Sequence, residues 1–95
     1  MPSIRRLVLD VLVPHQPNIV DLARTLASQG EYEVKVTVVE MDDKTQTLVV
    51  VIEGADVDFD TIKAAIADFG GSLHSIDEVE VYPVKGSDES RWEKD

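Results

Sequence analysis

Two groups of side chains in this chain have the types and spacing to meet a cation. Asp56, Asp58 and Asp60 alternate over five residues, and alternate carboxylates in a loop resemble the opening of a calcium-binding loop, whose hard oxygen ligands converge on the ion. The pattern breaks further along. Thr61 stands where the turn glycine belongs, and Ala67 where the closing glutamate belongs. The same residues have an ordinary structural use at a helix start, with Asp58 as the cap and Asp60 beside the positive end of the helix dipole.

The second group is scattered along the chain and depends on the fold to bring it together. Asp10 and His15 lie near the N-terminus; His74, Asp77 and Glu78 lie near the C-terminus. Imidazole and carboxylate together suit zinc or another transition metal. If the last strand runs antiparallel beside the first, Asp10 falls near Ser75, and His15 and His74 can approach each other. The alternative is structural, with His74 packed or hydrogen-bonded at a strand start and His15 capping a loop. Asp10 and His74 are also the pair that proximity could make into an acid and base. No Gly-x-Ser-x-Gly nucleophile elbow is present. Gly70-Gly71 lacks the pattern and the following helix of a phosphate-cradling loop. A non-catalytic domain is the expectation.

Composition narrows the partners. The chain has 95 residues with 9 basic and 19 acidic side chains, a formal charge of −10 and a pI near 4.4. Nucleic acid is excluded as a partner, because affinity for phosphate backbones needs Lys and Arg to displace counterions. Anionic membrane surfaces are disfavoured for the same reason. Cysteine is absent, which removes disulfides and thiolate metal sites. The start of the chain runs directly into an alternating strand with no signal-peptide cleavage site. The longest apolar run, residues 48–52, is far short of a membrane span. These features predict a cytoplasmic location.

The elements that must position these residues follow from periodicity. Residues 4–13 alternate as a strand, with Leu7, Leu9, Val11 and Val13 on one face and Arg6, Val8, Asp10 and Leu12 on the other. Pro14 ends it. Ile19, Leu22, Ala23 and Leu26 then have helical spacing, with Asn18 as the cap and Gly30 expected as the stop. Residues 32–41 and 45–53 read as a hairpin around Asp42-Asp43-Lys44. Phe59, Ile62, Ala65, Ile66 and Phe69 mark a second helix, capped by Asp58 and stopped by Gly70-Gly71. Residues 73–82 form the last strand, whose alternation slips phase near residues 75–77 and predicts a bulge.

Two right-handed strand–helix–strand units, interleaved, give an α+β, ferredoxin-like βαββαβ sandwich. Its antiparallel sheet has strand order 4-1-3-2, and both helices lie on one face. The domain is expected to cover residues 1–85, with residues 86–95 a flexible acidic tail carrying Trp92.

The sheet's other face is too apolar for one that meets only water. Val8 and Leu12 lie there, the third strand is apolar on both faces over residues 48–52, and Val39 and Met41 are expected on the same side. A contiguous apolar patch marks a contact site. Self-association through Arg6, Val8, Leu12, Val39 and Met41 is therefore expected, with Arg6 and Asp10 paired either across subunits or within one chain.

With these segments in place, Pro14-His15-Gln16-Pro17 and the Gly70-Gly71-Ser72-Leu73-His74-Ser75-Ile76-Asp77-Glu78-Val79 string become recognisable. Together with residues 6–13 and 54–60, they make the chain resemble a small, mostly archaeal family, the domain of unknown function numbered 211. The resemblance covers roughly residues 4–82. Its motif positions are Arg6, Asp10, Pro14, His15, Pro17, Gly70, Gly71, His74, Ser75, Asp77 and Glu78. The family implies the ferredoxin-like fold and closed homo-oligomeric rings, and it supplies no activity. The expected function is an interaction module built by self-assembly. The alternative is a regulatory domain that binds a small ligand or a divalent cation, calcium or zinc, between subunits.

Overall fold

The computed structural model of the chain describes residues 2–83. The expected tail and Trp92 lie outside the described residues. The elements are β1 (Ser3–Pro14), α1 (Ile19–Ala27), β2 (Glu33–Met41), β3 (Thr45–Glu53), α2 (Phe59–Asp68) and β4 (Ser72–Tyr82). They make one antiparallel sheet in the order β2-β3-β1-β4. This is the ferredoxin-like βαββαβ arrangement expected from the sequence.

The alternation of β1 does the sorting. Leu7, Leu9, Val11 and Val13 are buried, as are Leu48, Val50 and Ile52 of β3. Leu22 and Leu26 of α1 and Ile62, Ala65 and Ile66 of α2 close over them. The core therefore sits between the helices and the two central strands, where apolar area leaves water most completely.

Both helices begin as the sequence predicts. Asn18 Oδ1 accepts from the Asp21 backbone N–H at 3.0 Å, and Asp58 Oδ1 accepts from that of Thr61 at 3.2 Å. The helix ends differ from each other. Gly70 takes φ +79° after α2, and the Gly71 N–H reaches the Ile66 carbonyl at 3.0 Å, a Schellman closure. After α1 the left-handed residue is Glu31, at φ 60°, and the Tyr32 N–H closes on the Ala27 carbonyl at 3.0 Å. Gly30 is not the left-handed stop expected of it. A Cβ there would stand 2.5 Å from Tyr32 Cζ, so the glycine leaves room for a ring.

The phase slip expected in the last strand is present. Against β1, the pairing of β4 passes over Asp77 between Glu78 and Ile76, and over His74 between Ser75 and Leu73. In β1 it passes over Arg5. A further slip lies in β2 between Val38 and Glu40. Because one extra residue exchanges the faces, Glu40 comes opposite Thr47 and Met41 opposite the buried Gln46. Met41 is thereby out of phase with the outer row in which simple alternation places it.

Candidate functional site

The face of the sheet away from the helices carries most of the residues singled out from the sequence. Val8, Asp10 and Leu12 of β1 stand opposite Val51, Val49 and Thr47 of β3. All six are half-buried, because strands on both sides shelter them. On the β4 side, Arg6, Val8, Asp10 and Leu12 meet Glu80, Glu78, Ser75 and Ser72. The predicted approach of Asp10 to Ser75 is a direct register pair.

Arg6 links three strands. Its Nη1 donates to Glu53 of β3, and its Nε donates to Glu78 of β4 at 2.8 Å. Those two carboxylates, Glu53 first, hold the guanidinium's proton above its ordinary affinity. Arg6 thus has intrachain partners other than Asp10. Asp10 stands differently: its Oδ1 is enclosed and accepts no hydrogen bond among the described residues. The Ser75 hydroxyl donates instead to Asp77 Oδ1 at 2.8 Å. An enclosed acceptor without a donor costs free energy on the order of 1–3 kcal/mol unless something supplies one.

His15 and His74 are not brought together. His15 Nε2 sits 2.7 Å from the Asp42 carbonyl oxygen, over the β2–β3 turn. The end of β1 is held by β3 there, with Pro14 opposite Thr45, whereas pairing with β4 stops at Leu12 and Ser72. His74 is exposed on β4, on the other flank of β1. Asp42 Oδ1 meanwhile accepts from the Lys44 and Thr45 backbone N–H groups at 3.0 and 2.9 Å. Those bonds, that from Thr45 first, hold its carboxyl below the usual carboxylate range.

The loop carboxylates serve α2. Asp58 caps it and Asp60 lies in its first turn. The Asp58 N–H donates to the Tyr32 hydroxyl at 2.9 Å. Asp58 and Asp60 line a groove of about 440 Å³ with Asp68, Phe69 and Thr25. Among the described residues no three His, Asp or Glu side chains are grouped to hold a metal ion. Neither expected ion site is assembled within one chain among the described residues: the group of Asp10, His15, His74, Asp77 and Glu78 is divided between the two flanks of β1, and in the loop group Asp58 is engaged in capping.

One row of exposed apolar residues, on β4, was missed by sequence reasoning. Ile76, Val79 and Val81 of β4 are 47%, 49% and 40% exposed. Their partners in β1 are Leu9, Leu7 and Ile4, so the row lies on the helix side of the sheet, beyond the helices' cover. The signal was available in the apolar positions of residues 76–81, but the slips at His74 and Asp77 obscured their common face. Val39 and Met41, at 56% and 58%, are the corresponding exposed residues at the end of β2.

Among the described residues no helix is long and apolar enough to cross a membrane. Residues 5–87 match the model of the domain of unknown function 211 family, described as uncharacterized ArCR. An uncharacterized protein of Methanocaldococcus jannaschii is 49% identical over 80 residues, spanning 83% of this chain and 82% of that relative. The chain belongs to the domain of unknown function 211 family.

Proposed function

We propose that this domain is a non-catalytic, cytoplasmic interaction module that works as a homo-oligomer, with ring closure of its copies. The observation that carries the reading is the exposed row Ile76, Val79 and Val81 on β4, an edge strand with no neighbour on its outer side among the described residues. Apolar side chains on an open strand edge are a template for another chain. The half-buried Val8, Leu12, Val49 and Val51 of the outer face add a second apolar surface. Light scattering on the purified protein tests the reading. A mass several times the 10.5 kDa of one chain is expected; a monomer at every concentration would overturn it.

A second reading is favoured by one observation, the enclosed and unpartnered Asp10 Oδ1. A regulatory ligand offering a donor or a cationic group to the outer face, between subunits, would satisfy it. Melting curves with calcium, magnesium, zinc or chelator test for such a ligand, because binding to the folded state alone raises Tm by mass action. A shift that Asp10→Ala removes would support this reading, and the absence of any shift counts against an ion.

A further inference from the structure

The two edges of the sheet differ in a way that selects how one copy can meet another. β1 runs antiparallel to both β3 and β4, and β2 runs antiparallel to β3. The edge strands β2 and β4 therefore run in opposite directions. When copies stand side by side in the same orientation, β4 of one meets β2 of the next as an antiparallel pair. The sheet continues with the same pattern it has inside the chain.

Each edge strand has one half that carries no extra residue of its own. In β2 this is residues 33–37, before the slip at residues 38–40; in β4 it is residues 78–82, beyond the extra residue Asp77. Bulges twist an edge and hinder pairing, so these halves are the segments fit for addition. Their side chains agree in one register. With Val79 opposite Val36, Val81 falls opposite Val34, and the apolar rows of both strands lie on the helix side. The same register sets Glu80 opposite Lys35. Both are exposed and have no ion pair among the described residues. Moving the register by two residues in one direction puts Glu80 against Glu33, and in the other direction against Thr37. Pairing β4 with β4 of a second copy about Val79 would put Glu78 against Glu80, like charges that oppose association.

We propose that a second copy of this chain joins through residues 78–82 of β4 and residues 33–37 of the neighbour's β2, antiparallel, with Glu80 facing Lys35 of the neighbour. This rests on the self-association proposed above. The contact is head-to-tail, so each copy uses two different surfaces.

Charge reversal and cross-linking test it on the full chain. Lys35→Glu or Glu80→Lys alone should raise the concentration for half-assembly about tenfold or more, equivalent to about 1.4 kcal/mol, and the double variant should restore assembly. The chain has no cysteine, so a Lys35→Cys chain mixed with a Glu80→Cys chain should form a disulfide between copies, while neither should do so alone. An oligomer indifferent to both charge reversals, or a Glu80→Cys chain that cross-links to itself, would overturn this junction and leave self-association standing. A monomeric wild type would remove self-association itself.

Discussion

The ring of Tyr32 lies against Gly30, filling the space in which any side chain at position 30 would begin. Tyr32 Cζ, Oη and Cε1 would be 2.5, 2.6 and 2.7 Å from a Cβ there. The same ring covers Gly54, and its hydroxyl accepts from the N–H of Asp58 at the start of α2. One aromatic residue thus ties the end of α1 to the beginning of α2. Gly30→Ala should push the ring off both neighbours and lower stability by about 1–3 kcal/mol, the usual cost of overpacking. Urea unfolding checks it, and an unchanged midpoint would show that the ring moves freely.

Glu31 occupies a left-handed conformation at φ 60°, which a non-glycine residue adopts at a cost of about 1–2 kcal/mol. Its side chain is exposed. Glu31→Gly should therefore stabilise the chain by about 0.5–1 kcal/mol, despite the larger entropy glycine loses on folding. Together with Gly30→Ala it makes a paired test, with adjacent residues responding in opposite directions.

Asp42 organises the β2–β3 turn through bonds that need an acceptor at Oδ1. Its folded-state carboxyl titrates below the ordinary value of 3.8, so its contribution to stability is complete above that pH. It is lost as pH falls through the lower folded value. The difference in Tm between the wild type and Asp42→Ala should be constant near neutrality and shrink below about pH 3.8. A difference independent of pH down to pH 2 would show that the charge is not involved.

Asp10→Leu removes the enclosed, unpartnered acceptor from a half-buried position between Val8 and Leu12. The isolated domain should gain about 1 kcal/mol. The same variant should lose any Tm shift caused by a small ligand at the outer face. Loss of stability instead would mean that water or a second chain already satisfies Asp10.

Much of this was legible in the sequence for a physical reason. A strand with one buried face must alternate, and β1 does so without fault over Leu7, Leu9, Val11 and Val13. Caps are local as well, so Asn18 and Asp58 could be placed from their positions before apolar runs. The errors arose where a local sign has two causes. Glycine at position 30 resembles a helix stop, but its reason is the Tyr32 ring, a contact two residues on that periodicity does not report. Slips at Val39, His74 and Asp77 exchange faces, so Met41 and the Ile76 row could not be assigned by counting in twos. His15 and His74 depended on which side of β1 each flank binds, which is settled by where pairing stops, at Leu12 on one side and Pro14 on the other.

The opposed directions of β2 and β4 give the domain a polarity, like a tile with a tongue on one side and a groove on the other. Any open row of such tiles has two unlike ends. If copies join by the proposed junction, a copy with a spoiled β2 edge would still join by its intact β4 and would end growth at that end only. Substoichiometric amounts of one edge variant would act as a chain terminator, and the number of copies that closes a circle would be set by how far each tile turns its neighbour.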